Sequence, residues 1–286
     1  MFGKYHFKMN RLECSGTSNS SEGNSRVHFK GNLFLKPEDE TKFLERLSRE
    51  PIQEALNNIT GQFAFVIHDK SNGRVYLLRD HIGVIPFYYI LMSEYLIFST
   101  TIHEMLAHDV VDIKPNASIF HEYFAFGYIA GENTFFDGIV EVLPGYVIVV
   151  NQNGTLTTER FHHFRHKPQD LSICRKPTDS FDALFRHSFE RQTWDKDTKR
   201  IGVLSSGGID SSILVSFSRN RFGSGFPSYY IGNEGYKHNR NQEVEYLSRI
   251  FDSFHTNEII SNTKFADNLV HTITINEEPL NHPSSV

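Results

Sequence analysis

Residues Ile201-Gly202-Val203-Leu204-Ser205 run straight into Ser206-Gly207-Gly208-Ile209-Asp210-Ser211-Ser212, and Ile213–Phe217 carry on in helical character. The first five read as a buried-type strand, the next seven as a turn and the last as a helix. Two adjacent glycines let the backbone approach an anion without Cβ interference. Free N–H groups at a helix start, together with the helix dipole, hold phosphate. Ser206, Ser211 and Ser212 add hydroxyl donors, and Asp210 suits a magnesium ion held against the phosphates. No lysine follows the glycines, so this is not the GxxxxGK[ST] loop. The bland alternative is a strand–helix turn with a good N-cap, which the seven-residue match in strand–turn–helix context outweighs.

Downstream, Pro227–Ile231 reads as a second strand and the region around Glu243–Phe251 as a second helix. Strand–helix–strand–helix at this spacing predicts a parallel sheet with right-handed crossovers. Upstream, Phe181–Arg191 has helical spacing, and the polar, proline-flanked Arg165–Pro177 reads as a linker. The Ser/Gly/Asn-rich stretch from Cys14 to Ser25 is expected to be loop or disordered. Arg26–Leu35 alternates as a strand, and Pro37–Asn58 has helical spacing. Gly61–Asp69 and Arg74–Arg79 are two strands joined by the turn Lys70–Gly73. Further strand signal comes at Phe87–Ile90, Leu96–Ser99 and Tyr146–Val150, with a short helix at Ile119–Phe126. Residues 1–165 are therefore expected to form an α+β domain, 166–180 a linker, and 181–286 an α/β parallel-sheet domain.

The composition excludes several classes. A net charge of −5 gives no basic field for nucleic acid. Two cysteines, Cys14 and Cys174, are too few for a disulfide framework. The apolar runs fall far short of the roughly 18 residues of a membrane span, and a cytoplasmic protein is expected. His162, His163 and His166 cluster without a helical frame, which favours a solvated linker over a metal site.

The turn resembles the SGGxDS pyrophosphate loop of ATP pyrophosphatases. Gly61-Gln62-Phe63-Ala64-Phe65-Val66-Ile67-His68-Asp69 resembles a "G-x-F-A-F-x-I-x-D" strand, and Arg79-Asp80-His81-Ile82-Gly83-Val84-Ile85-Pro86-Phe87-Tyr88-Tyr89 an "RDxxGxxPLYY" segment. Phe98-Ser99, Phe136-Asp137-Gly138-Ile139 and Leu143-Pro144-Gly145 continue the likeness. In this order the motifs are similar to those of the glutamine-hydrolysing asparagine synthetases, over residues 55–286. The resemblance implies a class II glutaminase-like, N-terminal-nucleophile-type domain, followed by a pyrophosphate-loop ATP pyrophosphatase domain. It implies ATP and Mg2+ as cofactors, with Ser205, Ser206, Gly207, Gly208, Asp210, Ser211, Ser212 and Ile231 at the nucleotide and Asp210 on the metal. Ser205 and Ile231 are the expected backbone contacts to adenine, although a plain core role for Ile231 is equally open. Arg79, Asp80, Gly83 and Pro86 read as a structural corner.

Two departures stand out. The family's nucleophile is a cysteine at the start of the mature chain, whereas Phe2 stands here, with Gly3 at the family's glycine; Phe has no nucleophilic atom. Cys14, assigned to a Ser-rich loop, is a poor substitute. Asn276–Val286 resembles a "DEPxxxPSS" stretch near the substrate pocket, which makes Glu278 a candidate pocket residue, and the chain stops in mid-motif. The expectation is a fragment or split product. It is an ATP-dependent amide-forming ligase acting on an aspartate-like acid, with ammonia or glutamine-derived nitrogen, and a homodimer or complementing chain as partner. The alternatives are a cysteine-less relative of the β-lactam synthetase or lasso-peptide cyclase type, and an inactive ATP-binding or regulatory protein.

Overall fold

The computed structural model describes residues 1–15, 18–20, 25–35, 37–56, 59–109, 111–112, 114–164, 177–193, 201–237 and 239–279. The chain divides into two units, Met1–His166 with Asn276–His282, and Lys167–Ile275 with Pro283–Val286.

The first unit begins with strands β1 (Phe2–His6), β2 (Arg11–Ser15), β3 (Ser18–Ser20) and β4 (Ser25–Leu33). Helices α1 (Pro37–Arg49) and α2 (Ile52–Ala55) follow, separated at Pro51, which cannot continue a helix. Then come β5 (Gly61–Asp69), β6 (Arg74–Arg79), β7 (Tyr88–Leu91), β8 (Tyr95–Ser99), α3 (Ile102–Leu106) and α4 (Phe120–Phe126). Strands β9 (Val140–Glu141), β10 (Tyr146–Val150) and β11 (Leu156–Arg160) complete the unit.

These strands make two antiparallel sheets, ordered β2-β1-β8-β7-β9 and β11-β10-β6-β5-β4-β3. Tyr5, Leu96 and Phe98 from the first sheet, Phe87 just before β7, and Ala64, Val66, Leu77 and Ile148 from the second form one buried cluster, so the sheets pack face to face. The alternate residues of β5, Phe63, Phe65 and Ile67, point the other way, into a cluster with Phe43 and Leu47 of α1 and Ile52 of α2. Buried on both faces, β5 needs a near-continuous apolar run, which is why its sequence is so readable. Ile102 and Met105 of α3 cover Ile97 on the outer face of the five-stranded sheet.

The Cys14–Ser25 loop expectation is corrected here. Cys14 lies in β2, paired with Gly3, and Ser18–Ser20 pair with Val27–Phe29 of β4. Polar composition was overruled by strand partners far away in sequence. Cys14 packs, half-buried, against the inter-sheet core. Gly3 lets β1 fit between its two neighbours, because a Cβ there would stand 2.3 Å from the Phe98 ring of β8 and 2.7 Å from the Glu13 carbonyl of β2.

The second unit holds α5 (Pro177–Thr193), β12 (Val203–Leu204), α6 (Ile209–Phe222), β13 (Pro227–Asn233), α7 (Asn241–Ile250), β14 (Phe254–Ile260) and α8 (Asn262–Asn276). Its sheet, β12-β13-β14, is parallel throughout. Residues 165–176 of the expected linker lie outside the described residues. Its last part is corrected, since Pro177 already opens α5, at a position where a missing N–H costs nothing. The helix after the phosphate loop starts at Ile209 and not at Ile213. The strand before the loop is only two residues long, and Leu204 in it is 70% exposed, so Ile201–Ser205 is not buried on both faces. The stretch after Phe251 supplies both a strand, β14, and a helix, α8.

Candidate nucleotide-binding site

Parallel strands place their carboxyl ends at one edge of the sheet, where open α/β sheets bind ligands. The phosphate loop leaves β12 at that edge. Its entry is fixed by the Ser205 N–H, which donates to the Tyr229 carbonyl at 2.8 Å. Ser205 is buried, and its hydroxyl has no partner among the described residues. Gly207 takes φ +71°, a left-handed conformation that glycine adopts without strain, and its Cα faces Arg240 and Val244 closely.

Gly208 caps α6 with φ −81° and ψ 168°, ordinary extended backbone. A Cβ added there would meet nothing nearer than the Ser206 hydroxyl at 3.4 Å. Neither backbone nor packing requires glycine at 208; its bare Cα leaves space over the start of α6. The N–H groups of Ile209, Asp210 and Ser211 have no intrahelical carbonyl to bond. Among the described residues no carboxylate accepts from them. This is the fit that a phosphate demands.

The hydroxyls divide their work. Ser211 and Ser212 both donate to the Gly208 carbonyl, at 3.1 and 2.7 Å, and so brace the loop. Ser206 lies 3.1 Å from the Ser211 hydroxyl and is exposed, which leaves it as the hydroxyl best able to reach a ligand. Asp210 is exposed in the first turn of α6, where a carboxylate is favoured by the dipole and can meet a cation carried by phosphates. Ile231 lies toward the carboxyl end of β13 and is 61% exposed, so among the described residues it is not packed into a core.

One side of the site carries no sequence signal. Arg240, at the head of α7, donates from Nη1 to the Gly207 carbonyl at 3.2 Å. Its backbone N–H donates to the Tyr230 hydroxyl of β13 at 2.9 Å. No motif signals such a residue, because the β13–α7 connection that brings it to the loop is visible only in three dimensions.

Glu278 is found among first-unit residues. It lines a cavity of about 340 Å³ with Arg79, Tyr88, Glu141 and Glu277. Burial, and then the Glu141 charge, raise its carboxyl above the usual range. Arg79 pairs with Glu141 and donates to the carbonyls of Gly83, Ile85 and Val142. Asp80 is fully buried and accepts five backbone N–H groups, from Phe63, Ile82, Gly83, Val84 and Ile85. That is an architectural corner. Phe2 is half-buried in β1, its ring 5.5 Å from that of His108. His162 stacks edge-on against His81 and Phe164, and His166 lies outside the described residues.

Residues 27–162 match the family model of a glutamine amidotransferase domain, and residues 180–286 that of asparagine synthase. The chain carries a glutamine amidotransferase domain followed by an asparagine synthase domain. It is 23% identical over 269 residues to asparagine synthetase [glutamine-hydrolyzing] 1 of Bacillus subtilis (strain 168), covering 94% of this chain and 42% of that one. Asparagine synthetase [glutamine-hydrolyzing] 3 of the same organism is 23% identical over 283 residues, covering 91% and 44%. The enzyme of Gallus gallus is 26% identical over 189 residues, covering 60% and 30%. The chain thus spans less than half the length of these asparagine synthetases. Among solved structures, the glutamine phosphoribosylpyrophosphate amidotransferase of B. subtilis complexed with ADP and GMP covers 85% of this chain and 72% of its own at 11% identity, with a TM-score of 0.33. That likeness is too slight to bear on the fold. Among the described residues no helix is long and apolar enough to cross a membrane.

Proposed function

We propose that the second unit binds ATP with Mg2+ at Ser206–Ser212, in an amide-forming ligase of the asparagine synthase type. The observation that carries this reading is the open N-terminus of α6 behind Gly208, at the carboxyl edge of a parallel sheet. Backbone N–H groups of the first helical turn, with Ser206, would hold the phosphates, and Asp210 would hold the metal. The metal, when bound, offsets phosphate charge and polarises the phosphoryl oxygens. Ser205 and Ile231 lie at the edge where the base would lie. The reaction joins an aspartate-like carboxylate to the α-phosphorus of ATP with release of pyrophosphate. A nitrogen nucleophile then displaces AMP, leaving the amide and giving up its proton to solvent. The domain assignment follows the same reading, with 1–165 glutaminase-like and 181–286 synthetase-like.

Phe2 bears on the nitrogen source. It offers no nucleophile in β1, so we assign the first unit the role of a scaffold that does not hydrolyse glutamine. The same observation favours, as second reading, a cysteine-less relative that closes an amide within one substrate. Glu278, in its cavity with Arg79 and Glu141, stays a candidate for the acceptor pocket.

Competition titration tests the nucleotide reading. Pyrophosphate should displace a fluorescent ATP analogue in the presence of Mg2+. If neither ATP nor pyrophosphate displaces it, the loop is only a strand–helix turn.

A further inference from the structure

The loop Ser206–Ser212 has no lysine, yet a triphosphate brings several negative charges that three backbone N–H groups and one metal leave incompletely matched. A cation stands beside it from another element. Arg240 crosses under Gly207, with Cβ and Cδ 3.1 and 3.2 Å from where a Gly207 Cβ would be, and one N–H fixed to the Gly207 carbonyl. An added Cβ on Gly208 would lie 3.9 Å from Arg240 Nη1, so the guanidinium borders the same bare Cα that opens the cradle.

The placement is built. Tyr230 is buried, and its hydroxyl accepts the Arg240 N–H and reaches Asn239 Oδ1 at 3.4 Å. Asn239 clamps the end of β13, accepting from the Asn233 N–H at 3.2 Å and donating to the Asn233 carbonyl at 2.7 Å. Val244, one turn into α7, is buried against the loop, near Gly207. The head of α7 is thereby tied to β13, and the guanidinium to the loop, before any ligand arrives. A guanidinium has five N–H donors, and the Gly207 carbonyl takes one. Among the described residues no carboxylate pairs with Arg240, although the chain's exposed arginines Arg46, Arg186 and Arg249 each have a glutamate or aspartate four residues away.

We propose that Arg240 is a phosphate-positioning residue of this loop, supplying from α7 the fixed cation that the loop itself lacks and gripping the pyrophosphate half of the nucleotide. The assignment rests on the nucleotide reading above. A planar fork suits two phosphate oxygens at once, which a lysine in its place would not match. Tyr230 and Asn239 act through Arg240, as positioning residues that do not touch the ligand.

Calorimetry on the full chain with Mg-pyrophosphate, Mg-ATP and adenosine tests it. Arg240→Ala should weaken pyrophosphate and ATP by about tenfold or more, as expected for loss of a charged hydrogen bond, and leave adenosine unchanged. Arg240→Lys should recover only part of the loss. Arg240→Gln, which keeps the Cβ–Cδ stem packed at Gly207 without the charge, separates charge from packing if the alanine variant melts early. It should lose pyrophosphate affinity while keeping the wild-type melting temperature. Pyrophosphate affinity undiminished in Arg240→Gln overturns the proposal. A wild-type chain that binds neither ATP nor pyrophosphate overturns the nucleotide reading itself, before any Arg240 variant is compared.

Discussion

Two turns in this chain gather backbone N–H groups at the end of a strand, one in each unit. After β6, five N–H groups converge on the carboxylate of Asp80, which is fully buried. After β12, the N–H groups of the first turn of α6 converge on space beside Gly208, where among the described residues no carboxylate accepts from them. The electrostatic device is the same in both. Where the chain supplies its own anion, the turn becomes architecture and anchors the packed sheets. Where it supplies none, the turn keeps its capacity for an anion from outside. The surroundings follow suit. Among the described residues, the first unit has three buried clusters, one of them closed between its two sheets. The second has one small cluster around Val203, Val215 and Phe226, with Leu204, Tyr229 and Ile231 exposed.

The contrast breaks most visibly at Asp80. Asp80→Ala should strand several buried N–H groups and cost the first unit about 4 kcal/mol or more. Hydrogen exchange followed peptide by peptide should show lost protection over residues 61–90 and none over 209–260. Equal loss in both units, or none, would contradict the separation of the two turns.

A second test uses acid. His68 is buried, and burial first, then Lys70 and Arg26, lower its pKa to about 4. Its Nε2 lies 2.8 Å from Asn10 Oδ1 and donates to it, while Nδ1 has no partner among the described residues. A second proton would be stranded on Nδ1. Below pH 6.5 the unfolded chain binds that proton and the native chain does not. Stability contributed by neutral His68 is therefore whole above pH 6.5 and is lost as pH falls toward 4, by up to about 3 kcal/mol. Denaturant midpoints measured across this range should fall for wild type and much less for His68→Gln. His28, also lowered by burial, accounts for a residual slope.

The smallest effect is expected on the exposed face of the second unit's parallel sheet. Ile231→Ser should change stability by no more than about 0.5 kcal/mol, because little apolar surface is lost from a core there. A loss of about 2 kcal/mol in a thermal melt would show that Ile231 is covered after all.

What was legible in the sequence follows the same division. The strands β5 and β6 could be read because their apolar runs are continuous and their turn, Lys70–Gly73, is local. The phosphate loop could be read because glycines, hydroxyls and helix start are consecutive. The strands β1 and β2 could not, since Cys14 and Ser15 are polar or small and are held by pairing with Phe2 and Gly3, and β1 in turn by β8 at the far end of a long connection. The boundary of α6 was misplaced because Asp210 and the serines look like loop residues, yet in a first turn such side chains bond backbone and favour the helix. Arg240 was invisible for the reason β1 was: its partner, the Gly207 carbonyl, is distant in sequence.

Calorimetric titration of Mg-ATP into the wild-type chain and into Gly208→Val tests whether the open start of α6 holds phosphate. The fold tolerates a side chain at 208, so the variant should melt like wild type, and its branched Cβ should close the space over α6. Wild type should bind ATP measurably, and Gly208→Val should lose at least about tenfold in affinity at unchanged melting temperature. Equal ATP affinity in the two proteins, or none in wild type, would contradict phosphate binding there.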